Sequence, residues 1–207
     1  MSTQRERVEA LLAEHGTTYA EDAGITLRDK PSPLYQLLVL TMLASTRISA
    51  DVAVAAAREL FRAGWRTPAK MAAATWQQRV DALGRGHYRR YDESTSTKLE
   101  QGARMLMDEY DGDLRRLRPE PPASGQDASR AADELRESIA RFPRIGPTGA
   151  GIFVREVQDV WPVGPYFDER ALDAAADLGL PDDPRRLARL APQGGVARLA
   201  AALVKAG

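Results

Sequence analysis

Cysteine is absent from the 207 residues, which excludes disulfides, thiol catalysis and any cysteine-ligated zinc or iron–sulfur centre. Histidine is confined to His15 and His87, too few for a histidine-built metal site, so no metal and no cofactor are expected. Lysine is sparse too: Lys30, Lys70, Lys98 and Lys205 are the whole set, and the other cations are arginine. That bias suits bidentate phosphate contacts, although a GC-rich genome produces it as well. Neither sign of charge is in excess, with Lys+Arg and Asp+Glu both at 29. Long-range attraction to a polyanion is therefore not built into the net charge, and a nucleic-acid partner would need a local basic face. No apolar run is long enough to cross a bilayer. MSTQRERVEALLAEHG carries charges where a secretory signal would need an apolar core, so the expected location is the cytoplasm.

What remains is the composition of a folded protein, 43% hydrophobic and 28% charged. Helical periodicity dominates and convincing alternating strands are missing, so the expected class is all-α. Residues 3–14 read as a short amphipathic helix with Val8, Leu11 and Leu12 on one side. A polar link over 17–32 follows, and Pro33 opens the apolar PLYQLLVLTMLAS, a buried central helix. DVAVAAARELFRAG, a brief helix capped by Thr67-Pro68, and TWQQRVDALGRG come next. HYRRYDESTSTK reads as a polar loop, and STSTKLEQGARMLMDEY as a long helix stopped at Asp111-Gly112. RRLRPEPPASGQD is the most linker-like stretch. Beyond it come SRAADELRESIARF, a helix from Pro147 to about Val160, a helix capped by Asp168, another opened by Asp183-Pro184, and a last one over 194–205. Trp65, Trp76 and Trp161 read as core or lobe-contact residues.

FPRIGPTGAGIFV, residues 142–154, gathers Pro143, Gly146, Pro147, Gly149 and Gly151 into one stretch. It reads as helix, tight turn, helix. Gly146 is expected either to take a positive φ or to cap the second helix, and Pro147 suits that helix's first position. The amides of its first turn would then point outward with the positive end of the helix dipole behind them, a terminus that binds phosphate without side chains. An ordinary helical corner has the same local pattern. Gly149, Ala150 and Gly151 would let the two helices approach closely in either case.

The order ASTRISAD after the buried helix, Pro143-Arg144-Ile145-Gly146 in the hairpin, and Asp168 some twenty residues on resembles the helix-hairpin-helix DNA glycosylases, in their endonuclease III-like branch. The match runs from roughly residue 30 to 180. The resemblance implies a two-lobed helical fold with a cleft between lobes, one lobe spanning 28–162 and the other 1–27 with 163–207. It implies double-stranded DNA as partner, held through Arg144, Ile145, Gly146, Thr148 and Gly149 of the hairpin and Thr46 and Arg47 of STRIS, with the base flipped out for excision. Arg47 stands where such proteins push a side chain into the vacated stack; an exposed loop arginine is the plainer reading. Tyr88, Arg89, Arg90 and Tyr91 mix aromatics with cations as a nucleic-acid edge does, or form a solvated loop.

Asp168 falls on the family's catalytic aspartate. Cleaving an N-glycosidic bond builds positive charge on the sugar, which a carboxylate stabilises while orienting water. The competing role is that of a helix cap. Thr148 stands where the bifunctional enzymes have a Schiff-base lysine, so the resemblance implies base excision without strand-nicking lyase activity. Arg144 replaces the hairpin's usual first glycine, the iron–sulfur cysteines are gone, and LLVLTMLAS lacks the glutamate of the adenine-excising relatives. The reading is thus a monofunctional glycosylase acting on a damaged or mismatched base. The alternatives are a catalytically inactive DNA-binding or accessory protein on the same fold, and a helical interaction protein with no DNA role.

Overall fold

The structure, a computed structural model, describes residues 3–121 and 125–207. All regular structure among them is helical, as expected. The helices are α1 Gln4–His15, α2 Tyr19–Asp22, α3 Pro31–Ala44, α4 Ala50–Arg62, α5 Pro68–Ala73, α6 Trp76–Arg85 and α7 Asp92–Tyr110. A 3-10 turn at Leu114–Leu117 precedes α8 Gly125–Ala140, α9 Pro147–Val157, α10 Glu169–Asp177, α11 Pro184–Ala188 and α12 Val196–Ala206.

Local chemistry sets most of the boundaries. Thr3 and Glu6 form a capping box at α1, and Thr75 and Gln78 repeat it at α6, each satisfying two otherwise orphaned amides. Thr67 caps α5, Asp168 caps α10 and Asp183 caps α11. The buried helix starts at Pro31 rather than Pro33. Both prolines then fall in the first turn, where a missing N–H leaves no carbonyl unpaired. Its residues Leu34 to Leu43 are all buried, so the absence of a polar face does mark a central helix. Helix α7 begins at Asp92, inside the expected loop, and ends where Asp111 (φ 50°) and Gly112 (φ 75°) turn left-handed. The polar link contains the one-turn α2, and α9 stops three residues before the expected Val160. Part of the linker-like stretch, 122–124, lies outside the described residues. Trp161 is buried as expected, whereas Trp76 is 41% exposed because it sits at the first position of α6.

Two compact units result. One comprises Ala20–Arg118 and Arg136–Phe153; the other comprises Met1–Tyr19, Pro119–Leu135 and Val154–Gly207. In the first, α3 packs on α4, and α7 packs on α5 and α6. Arg79 of α6 is fully buried and fastens three of these helices. Its guanidinium donates to the carbonyls of Met71 (3.0 Å) and Ala74 (2.6 Å), to Ser96 O (3.0 Å) and to Glu100 Oε2 (2.5 Å). The second unit is built on α1, α10, α11 and α12, with Val8, Leu11, Phe167, Ala171, Leu187, Leu199 and Leu203 in its core.

Glu100 also accepts from Arg104, and Arg104 first, then Arg79, hold its carboxyl below the ordinary range. An acid lowered by folding stabilises the native state above its unfolded pKa and loses that contribution as it is protonated. Glu100→Gln should therefore melt below the wild type at pH 7, with the difference shrinking as pH falls below about 4.5. Thermal melts from pH 7 to about 3 measure this; a constant offset would contradict it.

Candidate functional site

The hairpin between α8 and α9 is held from below by two apolar side chains. Phe142 is buried with its ring 6.0 Å from that of Tyr110, and Ile145 is buried with its amide donating to Phe142 O at 3.1 Å. Ile145 thus anchors the turn and has no free N–H. The left-handed residue is Arg144 (φ 73°), not Gly146, which corrects one of the two expectations for that glycine. Arginine in this region costs roughly 1–2 kcal/mol. Its Nη1 donates to Ser94 Oγ (2.9 Å), and its guanidinium lies 5.3 Å from the Tyr91 ring centroid, a ring Arg90 also faces at 5.3 Å.

Gly146 takes the capping alternative: its carbonyl accepts the first intrahelical bond, from Ala150 N at 2.9 Å. Pro147 has no N–H. Among the described residues nothing accepts from the amides of Gly146, Thr148 and Gly149, and the Thr148 hydroxyl has no partner either. Gly146, Pro147 and Thr148 are exposed. Gly149 is buried against Ser45, so the open donors at the positive end of the helix dipole are the amides of Gly146 and Thr148. Among the described residues no side chain fills this terminus.

Two loops join this hairpin in the same unit. Gly149 lies so close to the end of α3 that a Cβ there would fall 1.9 Å from Ser45 Oγ and 3.1 Å from Ser45 Cβ. Next in sequence, the Thr46 hydroxyl lies 2.8 Å from Tyr88 Oη and donates to Leu43 O at 3.2 Å, and Tyr88 Oη donates to that carbonyl at 3.1 Å. Tyr88 is completely buried, so it is a core tyrosine rather than part of an edge or a solvated loop. Arg47, Arg89 and Arg90 are exposed, and Arg47 and Arg89 have no ion pair among the described residues. STRIS, GHYRRY and the hairpin, far apart in sequence, are thus brought into one neighbourhood carrying several arginines.

Asp168 belongs to the other unit. Its Oδ1 accepts from Ala171 N at 3.0 Å, capping α10, and its Oδ2 accepts from Arg155 Nη1 at 2.5 Å. The carboxylate is 22% exposed and the arginine 3%. Arg155 was not singled out in the sequence, where an arginine in a helix reads as a solvated one. The signal was its setting: Ile152, Phe153, Val154 and Val157 surround Arg155-Glu156 in a short helix and leave no polar face. No cluster of metal-ligating side chains exists among the described residues, and no helix there is long and apolar enough to cross a membrane.

A solved structure of endonuclease III trapped as a covalent intermediate with DNA, in an estranged-adenine complex, matches this architecture over 100% of this chain and 87% of that one. The TM-score is 0.53 and the sequence identity 18%. The chain has the endonuclease III fold. No protein-family model matches the sequence, and no curated protein matches it either. In this fold the open amides stand on the hairpin, and Asp168 opens α10.

Proposed function

We propose that the protein acts in base-excision DNA repair as a monofunctional glycosylase, hydrolysing the N-glycosidic bond of a damaged or mismatched base in double-stranded DNA. The observation that carries the reading is the unfilled amide set at the start of α9 in a chain with the endonuclease III fold. The amides of Gly146 and Thr148 would hold a backbone phosphate, with Arg144 beside them and Gly149 keeping the helix start close against Ser45; Thr46 and Arg47 would lie along the duplex, Arg47 in the place left by the extruded base. Asp168 would stabilise the developing sugar cation and orient water. The C1′–N bond breaks with its electron pair leaving on the base, which is protonated, while the water oxygen bonds to C1′ and gives up a proton. Its setting would be the cytoplasm, on the nucleoid.

One observation favours a second reading, a DNA-binding or accessory protein without catalysis. Both oxygens of Asp168 are already engaged, by Ala171 N and Arg155, so folding alone accounts for the residue. Base release from a panel of lesion-bearing duplexes separates the two: the glycosylase liberates a free base, the binder holds duplex with steep salt dependence and liberates none. Binding to no DNA at low salt would overturn both. Because Thr148 has a hydroxyl and no amine, borohydride on abasic duplex is expected to trap no covalent adduct. A trapped adduct would show that another amine does the lyase chemistry.

A further inference from the structure

Arg155 lies in the last turn of α9, buried, with its Nη1 on Asp168 Oδ2 at 2.5 Å. Its guanidinium also faces the Tyr19 ring at 5.4 Å, and the same ring is faced by Lys205 Nζ at 5.0 Å. Lys205 in turn donates to Thr17 O at 2.6 Å. Among the described residues the guanidinium's Nε makes no hydrogen bond and meets Glu156 Oε1 only at 4.0 Å, so the bond to Asp168 is its one short ionic contact there.

A helix-capping aspartate held through one oxygen keeps freedom about χ2, because terminal carboxylate torsions are broad. Asp168 has lost that freedom. Ala171 N fixes Oδ1, and Arg155 fixes Oδ2 from the buried side, so two donors on two oxygens define the carboxylate plane. Each oxygen keeps a second lone pair, and the side chain remains 22% exposed. The arrangement weakens the carboxylate's outward field by placing a cation behind it, and in exchange gives it one orientation. For folding alone the pair is a poor choice, since an apolar pair of similar volume at a buried position is often as stable or more so.

We propose that Arg155 is a positioning residue for base excision, acting solely by holding Asp168 in its reactive orientation. The inference rests on the glycosylase reading. A misplacement of about 1 Å costs on the order of a hundredfold in rate. The experiment is single-turnover base release and duplex binding for the wild type, Arg155→Met, Arg155→Lys, Asp168→Asn and the Arg155→Met/Asp168→Asn double variant, on the lesion duplex the wild type processes fastest. Arg155→Met should slow release about a hundredfold with Kd for duplex within about threefold. Arg155→Lys keeps the charge and loses the fork, and should recover only part of the rate, to about tenfold below the wild type. In the Asp168→Asn background Arg155→Met should slow release no further. Wild-type release by a folded Arg155→Met, a loss that appears wholly in Kd, or an added loss in the double variant would each overturn the inference while leaving the glycosylase reading intact. A wild type that releases no base from any duplex takes down both. Should Arg155→Met fail to fold by circular dichroism, Arg155→Lys decides: a tenfold slower rate supports the role and an unchanged rate overturns it.

Discussion

Asp168→Asn is expected to slow base release about 10²- to 10³-fold while leaving duplex affinity within about threefold. The amide keeps the cap, since one side-chain oxygen can still accept from Ala171 N. What disappears is the negative charge, at the moment a positive charge develops on the sugar. The same substitution removes the short ion pair of the buried Arg155 guanidinium and leaves it with Glu156 Oε1 at 4.0 Å. Breaking a buried pair costs about 3–5 kcal/mol, and the partial exposure of Asp168 puts this one at the lower end, near 3 kcal/mol. Two readouts are therefore needed: single-turnover rates at a temperature where the variant is folded, and a thermal melt that records the stability loss separately. If release persists at the wild-type rate, the carboxylate is a cap and an ion-pair partner and nothing more.

Gly146 and Gly149, three residues apart, should fail in opposite ways when each is changed to alanine. A Cβ at Gly146 meets nothing within 4 Å and its φ is not left-handed, so the fold makes no demand for glycine there. Gly146→Ala should melt like the wild type. Its methyl would nonetheless stand beside the open amides and keep a phosphate from close approach. Losing one hydrogen bond to a charged group costs about 1.5–3 kcal/mol, so duplex binding should weaken about tenfold or more. At Gly149 a Cβ would fall 1.9 Å from Ser45 Oγ, whose hydroxyl is already donating to Thr41 O at 2.7 Å. Gly149→Ala must displace Ser45 and should destabilise by about 1–3 kcal/mol. Melting curves and fluorescence anisotropy on a short duplex at two salt concentrations measure both effects. An unchanged affinity in Gly146→Ala would show that no phosphate sits against those amides.

The elements legible in the sequence were those specified within a few residues. Thr67-Pro68, Asp168 before an apolar-periodic run, and Asp183-Pro184 each announce a helix start because the cap bonds an amide two or three positions on. The central helix was legible because no face of it is polar. Tyr88 was not, since its burial depends on Thr46 and the Leu43 carbonyl, more than forty residues away. Nor was the left-handed turn, where glycine chemistry pointed to Gly146 while the chain bends at Arg144. Of the candidate site, the hairpin could be picked out from its clustered glycines and prolines, and Asp168 only through the resemblance to the helix-hairpin-helix glycosylases, since its own sequence context marks it as a helix cap. Arg155 could not, because its role lies in a salt bridge thirteen residues long in sequence and in the packing that buries it.

The unit that contains Asp168 is assembled from segments at both ends of the chain. On a ribosome, α1 emerges with Val8 and Leu11 in search of partners that include Leu199 and Leu203. Even Val154, where the last segment begins, is followed by about 3–10 s of translation before α12 is made. Through that interval the intervening unit, complete in sequence by Phe153, can collapse on its own. Nascent α1 must meanwhile be shielded or tolerated as an unfinished amphipathic helix, and the Asp168 carboxylate gains its surroundings only after synthesis of the rest.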